Sequence, residues 1–161
     1  MPDIIRPVAI RAEDAELGGL PANYPADLAK RMADRVKRRL GDVFGLTVFG
    51  VNLTRLKPGA WSMSHHQHIR QDEFIYVLEG YPVLITDTGE TQLSPGMCAG
   101  FPAGGTAHHL ENRGTDDAVI LEVGDRGAGE VVSFPNDDIR GVMRPEGGWH
   151  FTRMDGTPIS T

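Results

Sequence analysis

The histidines of this chain are concentrated in two short stretches. Five of the six lie in two clusters about 40 residues apart: His65, His66, His68, His108 and His109. Glu73 follows the first cluster within the stretch GAWSMSHHQHIRQDEFIYVLEG. Imidazole and carboxylate are common protein ligands for divalent metals of intermediate hardness. The two clusters therefore predict a metal site that the rest of the chain must assemble.

Strand geometry selects the residues of the first cluster that can share a site. Side chains alternate faces along a strand, so His66 and His68 point the same way. Glu73 lies at an odd offset from His68 and would face the opposite way on an unbroken strand. The polar stretch 69–72 (IRQD) can form a turn and let Glu73 open a new strand that faces inward. We therefore expect His66, His68 and Glu73 to face one point, with His65 outside it.

The second cluster can contribute fewer ligands. His108 and His109 are adjacent, so on a regular strand they face opposite ways and at most one can join the site. The residues alone leave this choice open. The nearby Cys98 lies in a strand-like segment, and we expect it to be a small buried core residue.

An inward-facing Glu73 has a consequence for the other face of its strand. Phe74, Tyr76 and Leu78 would then point outward, where a solvent-facing strand would carry polar residues. The N-terminal arm, the C-terminal tail or a second copy of the chain could cover this apolar face. We expect a homodimer.

Composition excludes several classes of protein. The formal charge of −6 and the pI near 5.4 argue against a nucleic-acid binder. No apolar run approaches the roughly 18 residues of a membrane span, and the N-terminus lacks a signal-peptide pattern. Cys98 is the single cysteine, so no internal disulfide can form, and we expect a cytoplasmic protein.

The order of patterns along the chain predicts an all-β protein. Residues 1–45 read as an arm followed by a short amphipathic helix over 26–40, in which Leu28, Met32, Val36 and Leu40 recur every fourth position. About eight short strands, each closed by Gly, Pro, Asn or Asp, follow over 46–124, which is typical of an antiparallel sandwich or jelly-roll barrel. Residues 125–161 read as a tail of the same domain, with strands near 130–134 and 149–153.

Basic residues concentrate in the predicted helix: Lys30, Arg31, Arg35, Lys37, Arg38 and Arg39. We interpret them as the solvated face of that helix. A patch for an anionic ligand or partner is the alternative.

The two histidine clusters resemble the two sequence motifs of the cupin superfamily. The first reads Gly59, His66-Gln67-His68, Glu73 and Gly80, and the second reads Gly96, Pro102, Gly104, His108 and Asn112. The gaps before His66 and before His108 are each one residue longer than is usual in the family. The wider stretch 38–158 resembles small single-domain bacterial cupins.

The resemblance implies a double-stranded β-helix (jelly-roll, cupin) barrel that holds one divalent metal ion inside. The implied ligands are His66, His68, Glu73 and His108, where Asn112 selects His108 over His109. Such a set suits zinc, iron, manganese or nickel, and ligand chemistry alone does not choose among them.

Two classes of function fit this pattern. The first is a metal-dependent enzyme acting on a small polar metabolite, either a sugar or sugar-phosphate isomerase or epimerase, or an Fe(II)-dependent dioxygenase. The second is a non-catalytic cupin that binds a small molecule. The sequence assigns no catalytic acid or base, because Asp72 and Glu79 stand out no more than ordinary surface carboxylates do.

Overall fold

The computed structural model describes residues 6–159, and strands dominate that part of the chain. Twelve strands run in the order β1 Arg35–Arg39, β2 Phe49–Leu56, β3 Gln67–His68, β4 Glu73–Glu79, β5 Val83–Thr86, β6 Gly89–Gln92, β7 Cys98–Phe101, β8 His108–Glu111, β9 Ala118–Asp125, β10 Val131–Phe134, β11 Ile139–Met143 and β12 Trp149–Arg153. The two α-helices are α1 Ala26–Arg31 and α2 Leu40–Phe44, with 3₁₀ turns at Ala12–Asp14 and Pro135–Asp137. The all-β prediction is confirmed.

Three antiparallel sheets make up the jelly roll. Their strand orders are β1-β2-β9-β4-β7, β12-β11-β10-β3 and β6-β5-β8. None of the helices among the described residues is long and apolar enough to cross a membrane. The division into an arm, a barrel and a tail stays a prediction. Both flanks nevertheless join the sheets, through β1 on one side and β10–β12 on the other.

Two apolar clusters hold the sheets together. The larger lies between the five-stranded and three-stranded sheets and includes Leu56, Ile75, Val77, Leu84, Leu110 and Ile120. The smaller packs α1 against the four-stranded sheet through Leu28, Val132, Phe134 and Ile139. Each such side chain contributes about 1.5–3 kcal/mol when it is fully buried. The clusters fix the sheets that carry the histidines.

Gly80 closes β4 at a point where no side chain fits. Its φ is +77°, and a Cβ there would lie 2.6 Å from the backbone oxygen of Asp117. Any residue with a side chain would be strained by this left-handed backbone conformation, and its Cβ would clash with the backbone at the start of β9. The last glycine of the first motif is therefore a packing requirement of the β4–β9 pair.

The predicted helix over 26–40 is wrong beyond its first turns. α1 ends at Arg31, and residues 35–39 form the edge strand β1, paired with β2 from Arg35–Leu56 to Arg39–Asn52. The four-residue spacing of apolar side chains predicted a helix, although Arg35, Lys37 and Arg39 already alternate with the two-residue period of a strand. A further strand, Ile139–Met143, was not predicted, while those near 130–134 and 149–153 are present.

The outer face of the five-stranded sheet is apolar across several strands. Tyr76 lies opposite both Cys98 and Leu121, and Leu121 lies opposite Leu53. Phe74, Tyr76 and Leu78 are each about two-fifths exposed. Cys98 is exposed on this face, so the expectation of a buried core cysteine is wrong. Cys98 lies on β7, the edge strand beside β4, so no further strand covers its thiol.

The homodimer stays a prediction, and this apolar face gives its test. We expect light scattering at micromolar concentration to give a mass twice the chain's 17.5 kDa. A Tyr76→Lys variant should give the monomer mass, because a charge at the centre of a buried apolar contact is costly. The matched control is Val48→Lys, which alters an exposed apolar residue that precedes β2 and belongs to no strand. A monomer mass for the unaltered protein would contradict the prediction.

Candidate metal centre

Four side chains from three segments of the chain meet inside the barrel: His66 and His68 at β3, Glu73 on β4 and His108 on β8. His66 and His108 sit opposite each other, since each backbone N–H donates to the other's carbonyl, at 3.1 and 2.8 Å. His68 ends β3, which pairs with β10, and Glu73 begins β4. Residues 69–72 form no strand and break the chain between them. This break lets Glu73 turn back toward the histidines.

The donor atoms converge on one carboxylate oxygen. Glu73 Oε2 lies 3.6 Å from His66 Nε2, 3.3 Å from His68 Nε2 and 3.3 Å from His108 Nε2. His66, His68 and Glu73 offer ligand atoms that all lie within 4.8 Å of one another and could hold a metal ion. Ligand bonds of about 2.0–2.2 Å at tetrahedral or octahedral angles place neighbouring donor atoms about 2.8–3.6 Å apart. The spacing fits that geometry.

Hydrogen bonds on the far side of each ring set its orientation. His66 Nδ1 lies 3.0 Å from the Ser64 carbonyl oxygen, and His108 Nδ1 lies 3.4 Å from that of Thr106. A carbonyl oxygen only accepts, so each Nδ1 carries the proton and each Nε2 keeps a lone pair. Phe101 also stacks on the His108 ring, with centroids 3.4 Å apart. Both imidazoles are therefore held with their lone pairs toward Glu73.

The inward atoms have no other partner. Within residues 6–159, His66 Nε2, His108 Nε2 and Glu73 Oε2 are buried and form no hydrogen bond. Buried polar atoms are ordinarily satisfied, because desolvation without compensation is costly. Here the unpaired atoms are all electron donors that face one another. A cation is the partner that would satisfy them together, so the residues fit a metal ion.

Burial and mutual contacts shift the pKa values of the cluster in different directions. Burial lowers the pKa of His66 to about 4, against the opposing pull of Glu73. Burial also lowers the pKa of His68, but its contacts with Glu73 and Glu130 outweigh burial and raise it above the ordinary value. Burial raises the pKa of Glu73, but His108, His66 and His68 outweigh it and hold that pKa well below the ordinary range. Glu73 is thus ionised and His66 neutral at neutral pH, as metal ligands must be.

Glu130 supports His68 from outside the cluster. Its side chain is fully buried, and its Oε1 lies 3.3 Å from His68 Nδ1. The backbone N–H groups of Ile69 and Arg70 donate to the two carboxylate oxygens at 3.1 and 3.2 Å. Sequence reasoning missed this residue, because 62 positions separate it from His68. The one sequence feature that could have pointed to Glu130 is its place at the start of the predicted strand near 130–134, and that feature is weak.

His65 and His109 face away from the cluster and form a second buried pair. Their Nδ1 atoms lie 3.0 Å apart. His65 Nε2 is 3.0 Å from Asp87, and His109 Nε2 is 3.0 Å from Glu111. Burial lowers the pKa of His109, with Glu111 opposing. These two rings link β8 to the loops around it and leave the cluster to the other four side chains.

A cavity of about 500 Å³ opens above the cluster. Its wall includes Tyr24 from the N-terminal segment, Lys37 from β1 and Glu122 from β9. Lys37 Nζ lies 2.7 Å from Glu122 Oε2, and Thr54 Oγ1 donates to the same oxygen at 2.8 Å. Sequence reasoning missed these wall residues, since their types and spacing match ordinary strand and surface positions. The cavity has room for a small metabolite beside the cluster.

Proton competition should make metal affinity fall as pH falls. The raised pKa of His68 means that this imidazole takes up a proton first, starting above its ordinary value of about 6.5, whereas His66 stays neutral. Zinc affinity, measured by chelator competition from mildly alkaline to mildly acidic pH, should therefore drop progressively, and the drop should begin above the ordinary imidazole pKa. An affinity that is constant over that range would contradict this order of protonation.

Glu130→Gln should weaken metal binding although Glu130 touches no metal. The amide cannot match a carboxylate in holding the imidazole of His68, and losing such a partner typically costs about 10–100-fold in metal affinity. Chelator competition with zinc measures the change. The matched control, Glu111→Gln, alters the carboxylate beside His109, which lies outside the cluster. Equal affinities for the two variants would contradict the role of Glu130.

Comparison with known proteins agrees with this geometry. The family model described as a cupin domain matches residues 52–124. A solved structure described as a sugar phosphate isomerase from a cupin superfamily, from Silicibacter pomeroyi, is 40% identical, with 94% of this chain and 96% of that chain covered and a TM-score of 0.87. A proposed sugar phosphate isomerase from Acidithiobacillus ferrooxidans is 34% identical, with 79% and 81% covered and a TM-score of 0.71.

A more distant structure shares the fold alone. A polyketide cyclase from Streptomyces resistomycificus is 21% identical, with 73% of this chain and 78% of that chain covered and a TM-score of 0.60. No curated protein matches the sequence. The family match, the near-complete alignment with the Silicibacter structure and the jelly-roll sheets agree: the chain belongs to the cupin superfamily.

Proposed function

We propose that this cupin is a metal-dependent isomerase or epimerase of a small sugar phosphate. The observation that carries the proposal is the cluster of buried, unpaired donor atoms at the base of a cavity of about 500 Å³. The 40% identity to the Silicibacter structure, over 94% of the chain, supports the choice of substrate class. Both the metal site and an adjacent cavity are needed for this chemistry.

One divalent ion, zinc, iron, manganese or nickel, would be held by His66, His68, Glu73 and His108. Three imidazoles and one carboxylate suit all four metals, so the donor set leaves the identity to experiment. When bound, the metal supplies Lewis acidity toward a carbonyl or hydroxyl oxygen of the substrate. The rest of the chemistry falls to the side chains of the cavity wall.

Glu122 is the group best placed to move a proton. Its side chain is 8% exposed, and both of its contacts, with Lys37 and Thr54, engage Oε2. Oε1 has no hydrogen bond among the described residues, and Glu122 lines the cavity. Isomerisation moves a proton between neighbouring carbons, which needs a positioned base. We assign that role to Glu122, with Lys37 and Thr54 holding its carboxylate in place.

We further propose a cytoplasmic location. The chain has one cysteine, and its thiol is exposed. A reducing compartment keeps such a thiol reduced.

The metal ligands can be tested by composition. Protein purified without chelator should contain about one equivalent of a divalent metal by elemental analysis. His66→Ala and His108→Ala should each lose most of it, since each removes one of four donors and leaves the others unpaired. His150→Ala, an exposed histidine of β12, is the matched control. An unchanged metal content in both His66→Ala and His108→Ala would contradict the proposed metal site.

The reaction can be tested by proton exchange. Incubation with a panel of sugar phosphates in deuterated water should give an isomer and deuterium at the exchanged carbon, detected by NMR. Glu122→Gln should lower kcat by about 100-fold or more with the metal content unchanged. Oxygen consumption with diols or keto acids would instead identify the Fe(II)-dependent dioxygenase. Tight binding without turnover across the panel would identify a non-catalytic binding cupin.

A further inference from the structure

Three of the four basic residues of β1 line the cavity and do not form a solvated face; the fourth, Arg38, donates to the carbonyl oxygen of Ala15. Arg35, Lys37 and Arg39 occupy alternate positions, so their side chains leave the same side of the strand. Register places that side with Thr54 and Asn52 on β2, and through them with Glu122 on β9. All three basic residues line the cavity. A strand that carries positive charge inward indicates a negatively charged occupant.

The three side chains differ in how far their charge is already balanced. Lys37 is paired with Glu122 at 2.7 Å. Arg39 lies at the exposed end of the strand and donates to the carbonyl of Gly19 at 2.8 Å. Arg35 donates to the carbonyl oxygen of Ser62 at 2.6 Å. Among residues 6–159, no carboxylate lies within ion-pair distance of Arg35.

Arg35 is therefore a half-buried guanidinium with no carboxylate partner among the described residues. Burial lowers its pKa, although nearby Glu122 opposes the shift. Buried arginines are ordinarily paired, because an uncompensated charge is costly. The guanidinium offers five N–H donors, of which one goes to Ser62. Its remaining donors are available to a ligand in the cavity.

Tyr24 supplies a second unpaired donor at the same wall. Its hydroxyl oxygen is buried and has no hydrogen-bond partner within residues 6–159. Burial raises the pKa of Tyr24 to about 12, with the charge of Arg35 opposing, so the hydroxyl stays protonated at neutral pH. Phe151 packs edge-on against the ring, with centroids 5.2 Å apart. The ring is thus fixed and its O–H is free to donate.

We infer that Arg35 and Tyr24 form an anion subsite that binds the phosphate group of the substrate. A phosphate monoester carries several acceptor oxygens and matches a guanidinium fork together with a hydroxyl donor. β1 lies three strand positions from β4, a span of about 14 Å along the sheet at about 4.8 Å per strand. Side chains and ligand bridge that span, so the phosphate sits at one wall and the sugar carbons reach the cluster. The assignment of phosphate rests on the proposed function.

Inorganic phosphate, titrated calorimetrically into the metal-loaded protein, is the direct probe. Arg35→Met keeps the aliphatic stem and removes the charge, and it should weaken phosphate binding roughly 10–100-fold. Arg35→Lys should recover part of the affinity, because it keeps the charge and loses the fork. Tyr24→Phe should weaken binding about 3–10-fold without altering the packing against Phe151. Unchanged binding in Arg35→Met and Tyr24→Phe would overturn the subsite.

Three controls separate the alternatives. Arg55→Met alters an arginine on the opposite face of the same sheet, paired with Asp117, and should bind phosphate normally. Phosphate that binds at the metal cluster would be lost in His66→Ala and retained in Arg35→Met, which would overturn the proposal. A stronger response to acetate than to phosphate, with the same dependence on Arg35, would overturn the assignment of phosphate.

The subsite and the proposed reaction can fail separately. Arg35-dependent phosphate binding without isomerisation of any sugar phosphate would refute the reaction and support the subsite. Isomerisation whose KM is unchanged in Arg35→Met would refute the subsite and support the reaction. Melting temperatures of all variants show whether a loss of binding reflects unfolding.

Discussion

Four electron-donating atoms face one another at a buried point, and the surrounding structure exists to hold them there. Left alone, three imidazole nitrogens and a carboxylate oxygen at 3.3–3.6 Å would turn away from one another. Each ring is prevented from doing so by an acceptor at its other nitrogen: Ser64 for His66, Thr106 for His108 and Glu130 for His68. Two of these acceptors are backbone carbonyls, so the strands themselves set the direction of the rings. The fold thereby keeps a set of donor atoms that a single bound cation would satisfy together.

The inner face of the five-stranded sheet contributes to both the apolar core and the polar cavity. Toward one end its inward side chains are apolar, where Leu56, Ile75 and Ile120 join the main core. Toward the other end the same strands present Glu73 and Glu122 to the cavity. On β4 the alternation holds from Glu73 to Val77, before the register shift at Val77/Glu79, so along this part only the residue type changes. The core thus fixes the sheet that carries the polar residues of the cavity.

How much of this could be read from the sequence depends on separation along the chain. His66, His68 and Glu73 lie close together, so alternation and one turn were enough to bring them to a common point. The pairing of Glu130 with His68 spans 62 residues and follows from the register of β10 with β3, which no local pattern encodes. Cys98 was misjudged because an edge strand with one apolar outer face resembles a core strand in sequence.

Residues 35–39 show a different limit. RVKRR is as polar as a solvated helix face, and the preceding apolar residues Leu28 and Met32 do lie buried at helical spacing. Polar residues are expected wherever the surroundings are polar, and a polar cavity meets that condition as well as bulk water does. The basic strand therefore looked like surface, although Arg35 and Lys37 turn inward.

The donor cluster and the cavity wall are built from different segments of the chain. All four donor residues fall within the part of the chain that the cupin family model matches, residues 52–124. Tyr24, Arg35 and Phe151, which line the cavity, lie outside it. The donor residues and much of the cavity wall therefore come from different parts of the chain. The Silicibacter structure aligns over 94% of this chain, flanks included, whereas the Streptomyces cyclase aligns over 73%. Likeness in the flanks therefore bears on the proposed substrate class, because residues of the flanks line the cavity.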